Sequence, residues 1–262
     1  MAPRSHEHWI TTADGRLFAK SWHPAAAAET APIVLLHDSL GSVELWRDFP
    51  ERLAQVTGRT VVAYDRLGFG RSDPYPGTLP LDFIEREAHG AFAAVREQLD
   101  LACFVAFGHS VGGGMAAHCA AAYPDQCRAL ITESAQAFVE DRTLAGIRAA
   151  RQAFAEPDQF ERLRKYHGDK AAWVLNAWID TWLSDAFRAW SLDDVLPQVR
   201  CPLLAIHGDR DEYGSTHHPE RLVRGASGPS RLALLPGCGH VPHREAQPQV
   251  LDAVAAFLAT AG

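Results

Sequence analysis

The pattern of hydrophobic and polar positions changes along the chain from strict alternation to continuous apolar runs. The stretches HEHWITT and RLFAKSWH alternate on either side of a turn at residues 13–15, which predicts an antiparallel hairpin at one end of a sheet. The continuous runs that follow are typical of strands buried within a parallel sheet. They occupy residues 33–36, 60–64, 104–107, 129–132, 203–206 and 232–235.

Helical patterns lie between these strands. Apolar residues recur at spacings of three and four over residues 83–99, 115–122 and 248–259, which predicts a helix in each stretch. Strands that alternate with helices indicate an α/β fold. An alanine-rich stretch at residues 25–28 predicts a surface loop.

One interval, residues 136–196, breaks this alternation. It contains no strand pattern, and its amphipathic segments carry several tryptophans. We interpret it as a helical insertion that ends before Pro197 and Pro202. The predicted core then comprises residues 1–135 and 197–262.

The composition fits one large domain, since 47% hydrophobic content over 262 residues provides for a substantial apolar core. The 25 Lys and Arg residues against 32 Asp and Glu give a net charge of −7, without a basic block. We therefore expect neither nucleic acid nor an anionic membrane surface as a partner.

Cysteine and histidine usage points to a protein without disulfides or a metal. The five cysteines include no CxxC pair and are expected to be reduced thiols in a cytoplasmic protein. The first ten residues lack the apolar region of a signal peptide, and no run is long enough to span a bilayer. Among thirteen histidines, neither the pair His6 and His8 nor the pair His217 and His218 matches a metal-binding motif.

Ser110 stands in the sequence Gly-His-Ser-Val-Gly, between the predicted strand at 104–107 and a predicted helix. Glycines on either side permit the sharp reversal that such a strand-to-helix turn requires. The turn projects the serine hydroxyl above the sheet, with the helix N-terminus beneath it. Ser110 is then either a helix cap or a nucleophile, and a nucleophilic serine needs a base oriented by an acid.

Candidates for that acid and base follow predicted strands later in the chain. Asp209 and Asp211 come after the strand at 203–206, and His240 comes after the strand at 232–235. Open α/β sheets bind ligands at the carboxyl ends of their strands, so these side chains are expected near one another. Glu133 follows the strand at 129–132 and is a further candidate acid. Taken singly, Asp211 also fits a turn and His240 a loop.

Four motifs together resemble the α/β-hydrolase superfamily over nearly the whole chain. They are HDSLG at residues 37–41, GFGRS at 68–72, the serine turn at 108–112, and the pair GDRD at 208–211 and GCGH at 237–240. The resemblance implies an α/β-hydrolase fold, with a mostly parallel eight-stranded sheet flanked by helices and an inserted helical lid. It also implies Ser110 as nucleophile, Asp211 as acid and His240 as base, with Asp211 in the commoner family position for the acid.

The same resemblance implies an oxyanion hole made by two backbone amides. One amide is that of Val111, directly after the nucleophile, and the other is that of Ser39. Most relatives carry His-Gly where this chain has His37 and Asp38, although the Ser-Leu-Gly that follows is similar to the 3-oxoadipate enol-lactonases. The Asp38 carboxylate would orient a substrate hydroxyl, repel an anionic ligand or bond loop amides in an Asx turn, and we favour the structural role.

Substrate contacts are expected from the lid and from the loops around Ser110. Trp178 and Trp182 lie one helical turn apart and share a face, so they form either the lid's own core or an apolar wall above Ser110. His109 fits a packing role better than that of a second base. The expected contacts are His37, Asp38, His109, Trp178 and Trp182.

These features predict a serine hydrolase that cleaves a small ester or lactone through an acyl-enzyme. No nicotinamide or flavin cofactor is expected, because GFGRS lacks the third glycine of a dinucleotide-binding fingerprint. A carbon–carbon bond hydrolase of a vinylogous diketone would use the same triad, and a non-catalytic ligand-binding relative is a third interpretation. A small-molecule substrate is the expected partner, and homodimer formation is left open.

Overall fold

The computed structural model describes residues 3–25 and 30–261. Its central feature is one mostly parallel sheet. Its eight strands are β1 (Arg4–Thr12), β2 (Gly15–His23), β3 (Ile33–Leu36), β4 (Val61–Tyr64), β5 (Phe104–His109), β6 (Cys127–Glu133), β7 (Leu203–Gly208) and β8 (Ser230–Leu235). The order in the sheet is β1-β2-β4-β3-β5-β6-β7-β8. Strands β1 and β2 form the predicted antiparallel hairpin, β2 pairs antiparallel with β4, and every later pairing is parallel. The predicted α/β fold is confirmed.

Helices lie on both faces of the sheet. They are α1 (Phe49–Thr57), α2 (Phe83–Arg86), α3 (Ala91–Gln98), α4 (Val111–Ala122), α5 (Asp141–Ala153), α6 (Pro157–His167), α7 (Ala171–Trp182), α8 (His217–Gly225), α9 (Pro242–Glu245) and α10 (Gln247–Ala261). No helix in the described part of the chain is both long and apolar enough to cross a membrane. The alanine-rich stretch at 25–28 falls outside the described residues after Ala25.

The core consists of two apolar layers, one on each face of the sheet. Ile33 and Leu35 of β3 face one layer, which α1 and α10 cover, whereas Val34 and Leu36 face the other. This alternation follows from the two-residue period of a strand. Because both faces are covered, the inner strands are buried along their whole length, as their continuous apolar runs predict.

Two features differ from the sequence predictions. The predicted helix at 83–99 is divided into α2 and α3, because the chain leaves helical geometry at Gly90, where φ is −101° and ψ is −103°. Strand β8 is parallel but largely exposed, since Leu232 and Leu234 are 38% and 43% exposed and only Leu235 at its end is buried. It forms one edge of the sheet and has a neighbouring strand on only one side.

The segment between β6 and β7 is helical and carries α5, α6 and α7, followed by two short 3₁₀ turns at Asp185–Phe187 and Leu196–Gln198. Its start and end are joined by an isolated bridge between Phe138 and Ser191. We call this part of the chain the β6–β7 segment. It leaves the sheet at the carboxyl end of β6, next to the end of β5.

Candidate active site

Ser110 occupies a strained turn between β5 and α4. Its φ of 55° and ψ of −125° are unusual for a residue with a side chain, and they reverse the chain directly from strand into helix. The Ser110 amide donates to the carbonyl oxygen of Glu133 at 2.8 Å, which ties the turn to the end of β6. This geometry agrees with the strand-to-helix turn that the sequence predicts.

The glycines of this turn are required by close contacts. A Cβ on Gly108 would lie 2.0 Å from the carbonyl oxygen of Gly112, and a Cβ on Gly112 would lie 2.2 Å from the carbonyl oxygen of Leu36. Neither distance leaves room for a side chain. Helix α4 therefore starts directly against β3 and β5, with Ser110 at its N-terminus.

Asp211 and His240 form a buried hydrogen-bonded pair. The Nδ1 atom of His240 lies 2.9 and 2.8 Å from the two carboxylate oxygens of Asp211, which is fully buried after the end of β7. Asp211 also accepts hydrogen bonds from the backbone amides of Tyr213 and Gly214, at 2.8 and 3.2 Å. These bonds fix the carboxylate, so Nδ1 of His240 carries a proton and Nε2 is free to accept one.

The pKa values of the pair shift in opposite directions. Burial raises the pKa of Asp211, but the hydrogen bond and charge of His240 together with His207 outweigh it, and the net pKa is lowered. Burial lowers the pKa of His240, but the hydrogen bond and charge of Asp211 together with Asp38 and Glu212 outweigh it, and the net pKa is raised. The site therefore stabilises an imidazolium at His240 beside a carboxylate at Asp211.

The other two candidate acids have different partners. Asp209 is exposed and accepts a hydrogen bond from the amide of Gly237 at 2.6 Å, so it braces the turn after β8. Glu133 is fully buried and lies 2.7 Å from Nδ1 of His243. Only Asp211 among these three acids contacts His240 in the described structure.

Ser110 and His240 open into one cavity of about 250 Å³, which we call the Ser110 cavity. Its lining combines polar groups close to Ser110 with apolar side chains of the β6–β7 segment. The lining residues are Asp38, Ser39, Leu40, Ser110, Gln136, Thr143, Ile147, Trp178, Trp182, Glu212, Tyr213, His240 and Val241. The sequence predictions place Ser110, His240, Asp38, Ser39, Trp178 and Trp182 together, and the structure does the same.

Among the lining residues that the sequence analysis does not predict, two contact Ser110 or His240 directly. The Ser110 hydroxyl donates to Oε1 of Gln136 at 3.2 Å, and the ring of Tyr213 lies 4.7 Å from the ring of His240 between centroids. Tyr213 comes two positions after Asp211, so its proximity in the chain to the candidate acid is enough to predict that it lies near the site. Gln136 belongs to no motif, and its position depends on the path that the chain takes beyond β6.

Two backbone amides near Ser110 lack an acceptor in the described structure. The amide of Val111 opens α4 and so has no partner within the helix. The amide of Ser39 donates no hydrogen bond to the described residues, and Ser39 lines the Ser110 cavity. The loop that carries Ser39 is held by the carbonyl oxygen of Asp38, which accepts from Nδ1 of His37 at 2.8 Å and from Arg66 at 2.7 Å.

His37 and His109 do not line the Ser110 cavity, contrary to their prediction as substrate contacts. His37 is buried against Arg66, and burial together with that guanidinium lowers the pKa of His37 well below its ordinary value. His109 is the last residue of β5, and its Nε2 lies 2.8 Å from the carbonyl oxygen of His240. The His37 ring bonds to the backbone of the loop that carries Asp38, and the His109 ring bonds to the backbone of the loop that carries His240. This agrees with the packing role considered for His109.

The predicted tryptophans and Asp38 do reach the Ser110 cavity. Trp182 is 2% exposed and also packs on Phe187 and Trp190, so it serves both as a wall and as core of the β6–β7 segment. Trp178 is half-buried and tilts against Tyr213. No described residue donates a hydrogen bond to the Asp38 carboxylate, and the bonds from Gly41, His37 and Arg66 all go to its backbone carbonyl. No Asx turn is therefore formed there.

One buried group of side chains has the residue types of a metal site. Ligand-type atoms of His109, Glu133 and His243 all lie within 4.8 Å of one another. Oε2 of Glu133 lies 2.7 Å from Nδ1 of His243, and Nε2 of His109 bonds to the His240 carbonyl, whereas Oε1 of Glu133 has no hydrogen-bond partner among the described residues. The group lies behind the Asp211–His240 pair, and His109 joins it to the backbone of His240.

Comparison with known proteins agrees with this fold. The family model of the α/β hydrolase fold matches residues 31–172. Serine hydrolase BPHL is 31% identical over 220 residues in Mus musculus and 32% identical over 228 residues in Homo sapiens, and each match covers 80% of this chain and 73% of the relative. The crystal structure of the enol-lactonase from Burkholderia xenovorans superposes with a TM-score of 0.74 at 18% identity, covering 96% of this chain and all of that one, which shows the shared fold. The chain therefore belongs to the α/β-hydrolase family.

Proposed function

We propose that this protein is a serine hydrolase that cleaves a small ester or lactone through an acyl-enzyme on Ser110. The observation that carries the proposal is the buried pair of Asp211 and His240, whose histidine opens into the same cavity as Ser110. A serine is a weak nucleophile until an adjacent base accepts its proton, and the pair supplies such a base.

In the proposed reaction, Ser110 Oγ attacks the carbonyl carbon of the substrate while its proton passes to Nε2 of His240. Asp211 stabilises the imidazolium that forms, and its hydrogen bond to Nδ1 keeps the ring in the tautomer that can accept at Nε2. His240 then donates the proton to the leaving oxygen as the acyl-enzyme forms. Water, activated by the same histidine, hydrolyses the acyl-enzyme and restores Ser110.

The free amides of Ser39 and Val111 are suited to donate hydrogen bonds to the substrate oxygen that becomes negative during this attack. Their donors belong to backbone that is fixed before substrate arrives, by the α4 start and by the bonds to the Asp38 carbonyl. Preorganised donors of this kind stabilise a tetrahedral intermediate without reorganisation, and loss of one such donor costs about 10²–10³ in kcat in a well-studied protease.

The size and the chemistry of the Ser110 cavity support a small substrate. About 250 Å³ lies below the usual range for drug-sized ligands, which is about 300–1,000 Å³. Trp178, Trp182 and Ile147 present an apolar surface on the side of the β6–β7 segment. We propose that this segment is a lid that selects the acyl or alcohol portion of the substrate.

A substrate panel tests the reaction class. The purified protein is incubated with short-chain esters, lactones, amides and vinylogous diketones, and products are identified by mass spectrometry alongside the acylated Ser110 peptide. Turnover of an ester or lactone with acyl label on Ser110 supports the proposal. Selective cleavage of the diketones would instead support the carbon–carbon hydrolase, and binding without turnover of any compound would support a ligand-binding relative.

A further inference from the structure

We infer that Gln136 holds the hydroxyl proton of Ser110 away from His240 in the free enzyme, so that the nucleophile is released only when substrate displaces this contact. The inference rests on the function proposed above. Ser110 Oγ donates to Gln136 Oε1 at 3.2 Å, and the hydroxyl makes no hydrogen bond to His240 within the described structure. A hydroxyl has one proton, so it cannot serve both acceptors at once.

Gln136 is presented to Ser110 by backbone that is fixed on both sides. Before it, the amide of Ser134 donates to the carbonyl of Ile206 at 2.9 Å, and Ser134 holds a positive φ of 48°. After it, the amide of Ala137 donates to Nδ1 of His218 at 3.1 Å. The Gln136 side chain is 3% exposed, so its position beside the nucleophile is built into the fold.

The anchor at His218 is itself held in one protonation state by its surroundings. Burial lowers the pKa of His218, so that the ring is neutral and Nδ1 can accept from the Ala137 amide. Its other nitrogen lies 3.1 Å from Oε1 of Glu140. Glu140 in turn accepts from the amide and hydroxyl of Ser215, at 2.6 and 2.9 Å. His218, Glu140 and Ser215 together therefore hold the start of the β6–β7 segment, where Gln136 stands.

The consequence for reactivity follows from the free nitrogen of His240. Because Nδ1 faces Asp211, only Nε2 can receive the Ser110 proton, and that transfer requires the hydroxyl to turn from Gln136 to His240. A neutral hydrogen bond shifts such an equilibrium by about two- to tenfold. Gln136 thus lowers the fraction of free enzyme with a competent serine, and its amide becomes available to bind the substrate that replaces the contact.

Inactivation by diisopropyl fluorophosphate measures this competence directly. In that reaction the Ser110 Oγ–P bond forms, the P–F bond breaks, fluoride leaves and the hydroxyl proton passes to His240. We expect Gln136→Leu and Gln136→Met, which remove the acceptor, to be inactivated about two- to tenfold faster than the wild type by second-order rate constant. A purely structural role for Gln136 predicts slower inactivation, because a disturbed site reacts less readily.

The exposed residue Gln55 on α1 provides the matched control, and Gln55→Leu is expected to react at the wild-type rate. Circular dichroism checks the fold, and the unbranched Met variant carries the test if the Leu variant is unfolded. Unchanged or slower inactivation of folded Gln136 variants would overturn the inference, since the amide would then be orienting the serine and not restraining it. A wild-type protein that is never labelled at Ser110 would instead contradict the proposed function itself.

Discussion

The Nδ1 atom of His240 lies within 2.9 Å of both carboxylate oxygens of Asp211, although 29 residues separate the two in the chain. Two parallel strands create this closeness, because β7 and β8 end side by side and each passes directly into the loop that carries one partner. The same edge of the sheet carries Ser110 at the end of β5. The arrangement therefore follows from the order and direction of the strands in the sheet.

Asp211→Asn is expected to reduce turnover by about ten-thousandfold while the fold is retained. The amide cannot hold His240 in the tautomer that accepts the serine proton, and it does not stabilise the imidazolium. Steady-state kinetics on the best substrate of the panel measures the effect. Asp209→Asn, which alters only the brace on Gly237, is the matched control and should keep most of the activity.

Glu133→Gln is expected to affect stability more than turnover. It alters the fully buried hydrogen bond between the Glu133 carboxylate and His243, and a buried polar group left without its partner typically costs about 1–3 kcal/mol. Urea unfolding measures the stability, and kinetics on the folded fraction measures turnover. A stable but inactive Glu133→Gln protein, beside an active Asp211→Asn protein, would show that the acid belongs to β6.

The pH dependence of kcat/KM is expected to show an acid limb above the ordinary histidine pKa of 6.5. His240 must be neutral to accept the serine proton, so activity is lost as the pH falls through its pKa, which Asp211 raises despite burial. In the residual activity of Asp211→Asn the limb should move to lower pH. A limb that stays in place in this variant would show that another group controls it.

Esters with a free carboxylate are expected to react more slowly than neutral esters of the same size. Asp38 and Glu212 line the Ser110 cavity, and none of the described residues that line it is Lys or Arg. Asp38→Asn should raise kcat/KM for the anionic ester by roughly tenfold, because it removes one repulsive charge, and should change the neutral ester much less. Equal effects on the two esters would argue against charge selection.

The two tryptophans of the Ser110 cavity are expected to differ. Trp182→Ala should destabilise the protein by about 3–5 kcal/mol, since the ring is 2% exposed and packs on Phe187 and Trp190. Trp178→Ala removes a half-buried ring and should mainly shift the preferred acyl chain towards longer esters. Thermal unfolding and a series of ester chain lengths separate the two effects.

The sequence predicts Ser110, Asp211 and His240 because each of them lies in a short motif that directly follows an apolar run. It does not predict which way a side chain at a strand end points. For this reason the sequence places His37 and His109 at the cavity, whereas the structure places them outside its lining. The position of Gln136 depends on a tertiary contact between the β6–β7 segment and His218, and no local sequence pattern indicates that contact.

The most direct test of the account is covalent labelling by a fluorophosphonate probe, with the modified residue identified by peptide mass spectrometry. Wild-type protein should carry one label, on Ser110, and Ser110→Ala should carry none. The same variant should keep its fold and lose roughly a thousandfold to a millionfold in turnover. Near-normal turnover by a well-folded Ser110→Ala protein, or a label on another residue, would contradict the account.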